Sequence, residues 1–156
     1  MTEQASRFAA SFAVHGVAET EELGRRIAAS LAAGDTIALE GDLGAGKTTL
    51  ARAILRALGV TGDVPSPSFT LVQTYETPQL KVAHCDLYRI EDPAELDELG
   101  LDDALLGGAV LMEWPERAPG RIASDALHIR IEVLGESERL MQFSGPARWA
   151  HLLERA

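Results

Sequence analysis

The segment Gly41-Asp42-Leu43-Gly44-Ala45-Gly46-Lys47-Thr48 constrains this chain more than any other stretch. It has the spacing G-x-x-x-x-G-K-[ST], and its flanks fit that pattern. The apolar run Ile37-Ala38-Leu39 reads as a strand, and Lys47 to Leu58 reads as a helix with Leu50, Ile54, Ala57 and Leu58 on one side. Gly59 ends that helix. Each residue type in the loop has a physical task. Glycines reach positive φ and let main-chain N–H groups approach anionic oxygens with no Cβ in the way. The helix starting near Lys47 aims its unpaired N–H groups and the positive end of its dipole at the same point. The Lys47 ammonium can balance β- and γ-phosphate charge, and the Thr48 hydroxyl can ligate Mg²⁺. The unit therefore predicts an α/β fold that holds Mg-ATP on the loop from Gly41 to Thr48.

The 156 residues are enough for one domain, 1–156, around one core. Apolar residues at 46% and charged residues at 24% make the chain globular rather than disordered. A net charge of −10, from 24 acidic and 14 basic residues, repels phosphate backbones, so binding to nucleic acid by this chain alone is disfavoured. Only two lysines occur, Lys47 and Lys81, and one of them sits in the loop. No apolar run approaches the ~20 residues that cross a bilayer. The polar N-terminus lacks the pattern of a signal peptide. With Cys85 as the single cysteine, the expected setting is cytoplasmic and reducing.

Elsewhere the pattern predicts a strand over Phe8 to Val14 and a helix over Glu19 to Ala33, with Leu23, Ile27, Ala28 and Leu31 on its apolar face. Thr36 to Glu40 is a short strand. Residues Gly62 to Ser68 form a loop, and Phe69 to Tyr75 with Leu80 to Asp86 form a hairpin across Pro78. Asp92-Pro93-Ala94-Glu95 starts a helix, with Asp92 as cap and Glu95 placed to bond back to it. Ala109 to Met112 is a buried strand, and Leu127 to Val133 and Arg139 to Phe143 are two late strands. Gly145-Pro146 opens a last helix with Trp149, Leu152 and Leu153 on one face. The expected architecture is a P-loop three-layer sandwich whose mixed, largely parallel sheet carries an antiparallel hairpin.

Magnesium needs further oxygen ligands, usually an acid at the end of a neighbouring strand. Glu113 ends the apolar run Ala109-Val110-Leu111-Met112. Asp86 ends Val82-Ala83-His84-Cys85, although a hairpin strand is an unusual place for such an acid. Either carboxylate can be the principal metal acid, and either can instead be a solvated strand end. The chain contains no asparagine, which closes the N-K-x-D route to guanine specificity. A small-metabolite kinase would bring a lid with several arginines, and Arg117 and Arg121 are the nearest approach to one. His84 reads as a hydrogen-bonded structural residue, and one cysteine with four histidines gives no zinc-type cluster.

Four segments in order resemble the TsaE (YjeE) family, the ATPase subunit of the bacterial tRNA threonylcarbamoyladenosine machinery. They are Gly41 to Thr49, Ser66-Pro67-Ser68-Phe69-Thr70-Leu71, His84-Cys85-Asp86-Leu87-Tyr88-Arg89 and Glu113-Trp114-Pro115-Glu116. The loop is shared by many families, whereas the H-x-D-L-Y-R and E-W-P segments are specific. The resemblance runs over about residues 15 to 143 and implies roles for the matched positions. Lys47, Asp86 and Glu113 would be catalytic; Thr48 and Glu113 would ligate Mg²⁺, with Asp86 supporting the metal or the attacking water. Trp114 would pack beside the nucleotide or fill the core. Ser66 to Thr70 would be a switch-like loop, His15 to Thr20 would line the adenine side, and Arg139 is either a further contact or a strand-face cation. Ser68 stands where the family usually has Thr, and Cys85 where it commonly has an aromatic. The implied partners are TsaD and TsaB, with tRNA met only indirectly and no membrane. The implied activity is slow, Mg-dependent ATP hydrolysis used as a switch. A small-metabolite kinase and a nucleotide-sensing adaptor that never hydrolyses ATP are the competing classes.

Overall fold

The computed structural model describes residues 7–67 and 71–153. A seven-stranded sheet has the order β1-β7-β6-β2-β5-β4-β3. The strands are β1 (Arg7–His15), β2 (Thr36–Glu40), β3 (Val72–Glu76), β4 (Lys81–Asp86), β5 (Gly108–Glu113), β6 (Leu127–Val133) and β7 (Glu138–Pro146). The helices are α1 (Gly16–Ser30), α2 (Lys47–Ala57) and α3 (Leu101–Gly107). Pairing is parallel through the centre, where β2 joins β5 and β6, and β5 joins β4. It is antiparallel at both margins, in the β3–β4 hairpin and in β6–β7–β1.

Layering follows from alternation along the central strands. All six residues of β5 are buried, as expected of a parallel strand covered on both faces. Ala109 and Leu111 meet the α1–α2 side, together with Ile37, Leu39, Leu127 and Ile129. Val110 and Met112 point the other way, into a cluster with Ala83, Cys85, Leu87 and Leu96, against which Leu101 and Leu105 of α3 pack. The sheet thus has a helical layer on each face, with the predicted mixed α/β architecture. Among the described residues, no helix is long and apolar enough to cross a membrane.

Several boundaries differ from expectation for local reasons. Helix α1 starts at Gly16 rather than Glu19, because Glu19 Oε1 turns back to accept the His15 N–H at 2.8 Å and so fixes an earlier first turn. Helix α2 ends as predicted. Gly59 takes φ 106°, its N–H bonds Arg56 O, and Val60 N–H bonds Leu55 O, which is a Schellman closure. Pro93–Leu99 and Ala147–Leu153 are 3-10 rather than α-helical. Asp92 caps the former by accepting from Ala94 N–H at 3.0 Å, while Glu95 bonds Glu91 N–H and not the cap. Gly145 and Pro146 end β7 instead of opening a helix, since their register with Phe8 and Arg7 extends the β1–β7 ladder. Of the predicted hairpin, Phe69 and Thr70 lie outside the described residues, as does Ser68 of the preceding loop.

Candidate nucleotide site at the carboxyl edge of the sheet

The loop between β2 and α2 takes the shape its glycines permit. Gly41, Gly44 and Gly46 have φ of 150°, 79° and 115°. Gly41 is also held by space, because a Cβ there would lie 2.6 Å from Ile131 O. Gly44 and Gly46 face open space, so only their φ values demand glycine. Ala45 N–H bonds Asp42 O at 3.0 Å and tightens the turn. Gly46 caps α2, leaving the first-turn amides of Lys47, Thr48 and Thr49 at the end of a helix where donors lack intrahelical partners.

Lys47 folds back over this loop. Its Nζ donates to Gly41 O and, at 2.9 Å, to Asp42 O, and it lies 4.2 Å from the centroid of the Trp114 ring. Burial lowers the Lys47 pKa from the ordinary lysine value, and the nearby carboxylates of Glu113, Asp86, Glu116 and Asp42 offset only part of that shift. The ammonium is thus buried, held by main-chain carbonyls and an aromatic face, partners that an anion can replace.

The two acids come from adjacent strands. Asp86 and Glu113 are register partners at the ends of β4 and β5, both buried, at 6% and 2% exposure. Glu113 accepts from Thr48 Oγ1 at 3.0 and 2.9 Å through its two oxygens, and from the buried His84 Nε2 at 2.6 Å. Asp86 Oδ1 accepts the Tyr88 N–H at 2.9 Å, while its main-chain N–H bonds Leu71 O at 2.9 Å. Neither acid is a solvated strand end. Because β4 pairs in parallel with β5 as well as antiparallel with β3, the hairpin strand delivers its acid to the same sheet edge as the loop. One cleft gathers Leu43, Gly44, Lys47, Thr48, Ser66, Asp86, Glu113 and Trp114.

Trp114 leaves β5 in a left-handed turn, φ 61°, and its ring packs 4.8 Å from that of Tyr88. It lines the same cleft as Lys47 and the two acids. On the other side of the loop, Gly16, Val17 and Thr20 face Ala45, Gly46, Thr49, Arg139 and Met141 across a second cleft. This is where His15 to Thr20 was expected to line the base side. Arg139 is not a free strand-face cation: its Nε donates to Ala45 O at 2.8 Å and a guanidinium nitrogen donates to Gly135 O at 2.9 Å. Glu136, Ser137 and Met141 of this cleft were missed by sequence reasoning, and no local signal marks them. The two arginines weighed as a kinase lid are engaged elsewhere. Arg121 pairs with Asp97 at 2.6 Å, and Arg117 lies over the Tyr88 ring at 5.6 Å.

The geometry invites comparison with known proteins. A family model described as threonylcarbamoyl adenosine biosynthesis protein TsaE matches residues 14–141. The chain belongs to the TsaE family. Among curated TsaE proteins, that of Rickettsia felis is 41% identical over 123 residues, covering 78% of this chain and 72% of the relative. That of Bacillus subtilis is 39% identical over 127 residues, covering 81% and 79%. Both are described as tRNA threonylcarbamoyladenosine biosynthesis proteins. The crystal structure of Bacillus subtilis YdiB superposes with a TM-score of 0.77 at 30% identity, over 94% of this chain and 92% of that one. The TsaE match therefore spans both clefts and every candidate residue from the loop to Trp114.

Proposed function

We propose that this chain is the Mg-dependent, slowly ATP-hydrolysing member of the machinery that forms threonylcarbamoyladenosine at position 37 of tRNAs reading ANN codons, and that it acts as a switch on a TsaD–TsaB complex. Membership of the TsaE family supports the pathway. The observation that carries the chemistry is the convergence of Lys47, Thr48, Asp86 and Glu113 on one cleft at the N-terminus of α2. ATP is the substrate, with its triphosphate on the amides of the loop and of the first turn of α2.

The donor set fits magnesium. Thr48, Glu113 and Asp86 offer only hard oxygens, and among the described residues no group of three or more His, Cys, Asp or Glu forms a protein cage. That suits an ion that takes one or two carboxylates and completes its shell with water and phosphate oxygens. Bound there, it would supply charge neutralisation across the β- and γ-phosphates. The protein's own residues do the rest. Lys47 leaves the Gly41 and Asp42 carbonyls to donate to phosphate oxygens, a contact that strengthens as charge moves toward the leaving group. Asp86 accepts a hydrogen bond from a water aimed in line at the γ-phosphorus. Trp114, on one wall of the cleft, shields Lys47 from bulk water.

No arginine of the chain reaches into the cleft among the described residues, which supports a site completed or gated by a partner. An acidic chain with net charge −10 would meet tRNA only through those partners. Pull-down with TsaB and TsaD, with and without ATP, tests the reading when combined with phosphate release. Capture that depends on ATP, together with phosphate release raised by the partners, is expected. Capture indifferent to nucleotide, or ATP consumption that requires a metabolite acceptor, would contradict it.

A further inference from the structure

His84 was read from the sequence as a structural histidine, yet among the described residues it and Thr48 are the two side chains hydrogen-bonded to the Glu113 carboxylate, and His84 alone of the two is buried. It is fully buried on β4, and Glu113 is 2% exposed. Its Nε2 lies 2.6 Å from Glu113 Oε2, while Nδ1 is buried with no hydrogen-bond partner among the described residues. A carboxylate only accepts, so the ring proton that makes this bond is on Nε2. The arrangement is asymmetric. A histidine kept for stability alone would be expected to use both nitrogens, or to be replaced by an apolar residue that leaves no buried nitrogen unpaired.

We propose that His84 is a positioning residue for the metal acid. Its Nε2–H pins Oε2 and so fixes the rotation of the Glu113 carboxylate about its last bond. Without that bond, among the described residues the Thr48 hydroxyl alone is left to orient the carboxylate, and Thr48 is the group expected to turn its oxygen toward the ion. The chain His84–Glu113–Thr48 thus links β4, β5 and α2 through one carboxylate. Outer-shell donors of this kind commonly tune metal affinity by 10–100-fold. The inference rests on Glu113 serving Mg²⁺ as proposed above.

The test measures ADP affinity of the full chain by calorimetry in excess MgCl₂ and in EDTA, and takes the ratio as the metal coupling. In His84→Leu the coupling falls about tenfold or more, while affinity in EDTA stays within about twofold of wild type, as expected of a residue that touches no part of the nucleotide. His84→Gln places an amide N–H near the Nε2 position and restores most of the coupling. Full coupling in His84→Leu, or equal loss in EDTA and in Mg²⁺, would overturn the proposal. Glu113→Ala separates the two readings. If it keeps the metal coupling, Glu113 is not the metal acid and both fail; if it loses coupling while His84→Leu does not, only the role of His84 fails. Should His84→Leu not fold, ¹⁵N spectra of the wild-type imidazole decide instead. An Nε2–H tautomer whose signals shift on adding MgADP supports the proposal, and an Nδ1–H tautomer overturns it.

Discussion

Thr48 Oγ1 lies 3.0 and 2.9 Å from the two oxygens of Glu113, joining the first turn of α2 to the last residue of β5 across 65 positions of sequence. One hydroxyl cannot donate fully to both oxygens, so the bond is shared and readily redirected. This contact predicts that Thr48→Val weakens ADP binding about tenfold or more in MgCl₂ and leaves binding in EDTA nearly unchanged. Calorimetry in the two buffers reads both values. Equal affinity of wild type and variant in Mg²⁺ would remove Thr48 from the metal site.

Asp86 is tied to the main chain by accepting the Tyr88 N–H. Asp86→Asn keeps an acceptor for that bond and should fold like the wild type, but it loses the negative charge facing the loop. ATP binding should persist while hydrolysis in the presence of the partner complex falls by roughly 10²-fold or more. A phosphate-release assay beside a binding isotherm checks both. Wild-type turnover in this variant would exclude Asp86 from the mechanism.

The path by which these acids reach the loop shows what the sequence could and could not convey. The loop itself was legible, because strand, glycine spacing and helix are all local signals. Both acids were legible as strand ends, but Asp86 looked misplaced on a hairpin. A hairpin pattern says nothing about the strand on its other side, and it is the parallel β4–β5 pairing that puts Asp86 beside Glu113. The bond from His84 to Glu113 was illegible for the same reason: 29 residues separate partners that meet only through sheet order. Helix α3 was missed because it is short, lacks a side-chain cap and offers only three partly buried apolar residues, Leu101, Ala104 and Leu105. The 3-10 segments Pro93–Leu99 and Ala147–Leu153 were read as ordinary helices, since capping residues report where a helix starts and not how tightly it winds.

Lys47 carries a pH signature. Burial lowers its folded-state pKa from the ordinary lysine value. The folded protein therefore loses this ammonium at a lower pH than the unfolded chain does. Two consequences of opposite sign follow in the window between the two values. Stability of the free protein gains with rising pH, because the unfolded state holds the proton more strongly. Affinity for ADP drops, because the bound phosphates need the ammonium. Alkaline titrations should show affinity declining at a lower pH than an ordinary lysine titrates. Affinity that stays flat through the ordinary lysine range would mean that no ammonium contributes to binding.

Gly24 marks where α1 and α2 come closest. A Cβ at this position would stand 2.7 Å from Ala53 Cβ, 2.8 Å from Ala53 C and 3.0 Å from Ile54 N. Two of those atoms are main chain and cannot step aside. Gly24→Ala should cost about 1–3 kcal/mol by pushing α1 off α2, read as a Tm lowered by several degrees. An unchanged Tm would mean that the two helices separate freely. Because α2 carries the loop, a shifted α2 should also weaken ADP binding in the same variant.

The most direct test of the nucleotide site is calorimetric titration of Mg-ATP into the wild-type chain and into Lys47→Ala. The wild type should bind one-to-one and the variant should give no detectable heat, with both proteins showing the same circular dichroism. Equal affinity in the two proteins would contradict it, because a triphosphate held without Lys47 is not held on this loop.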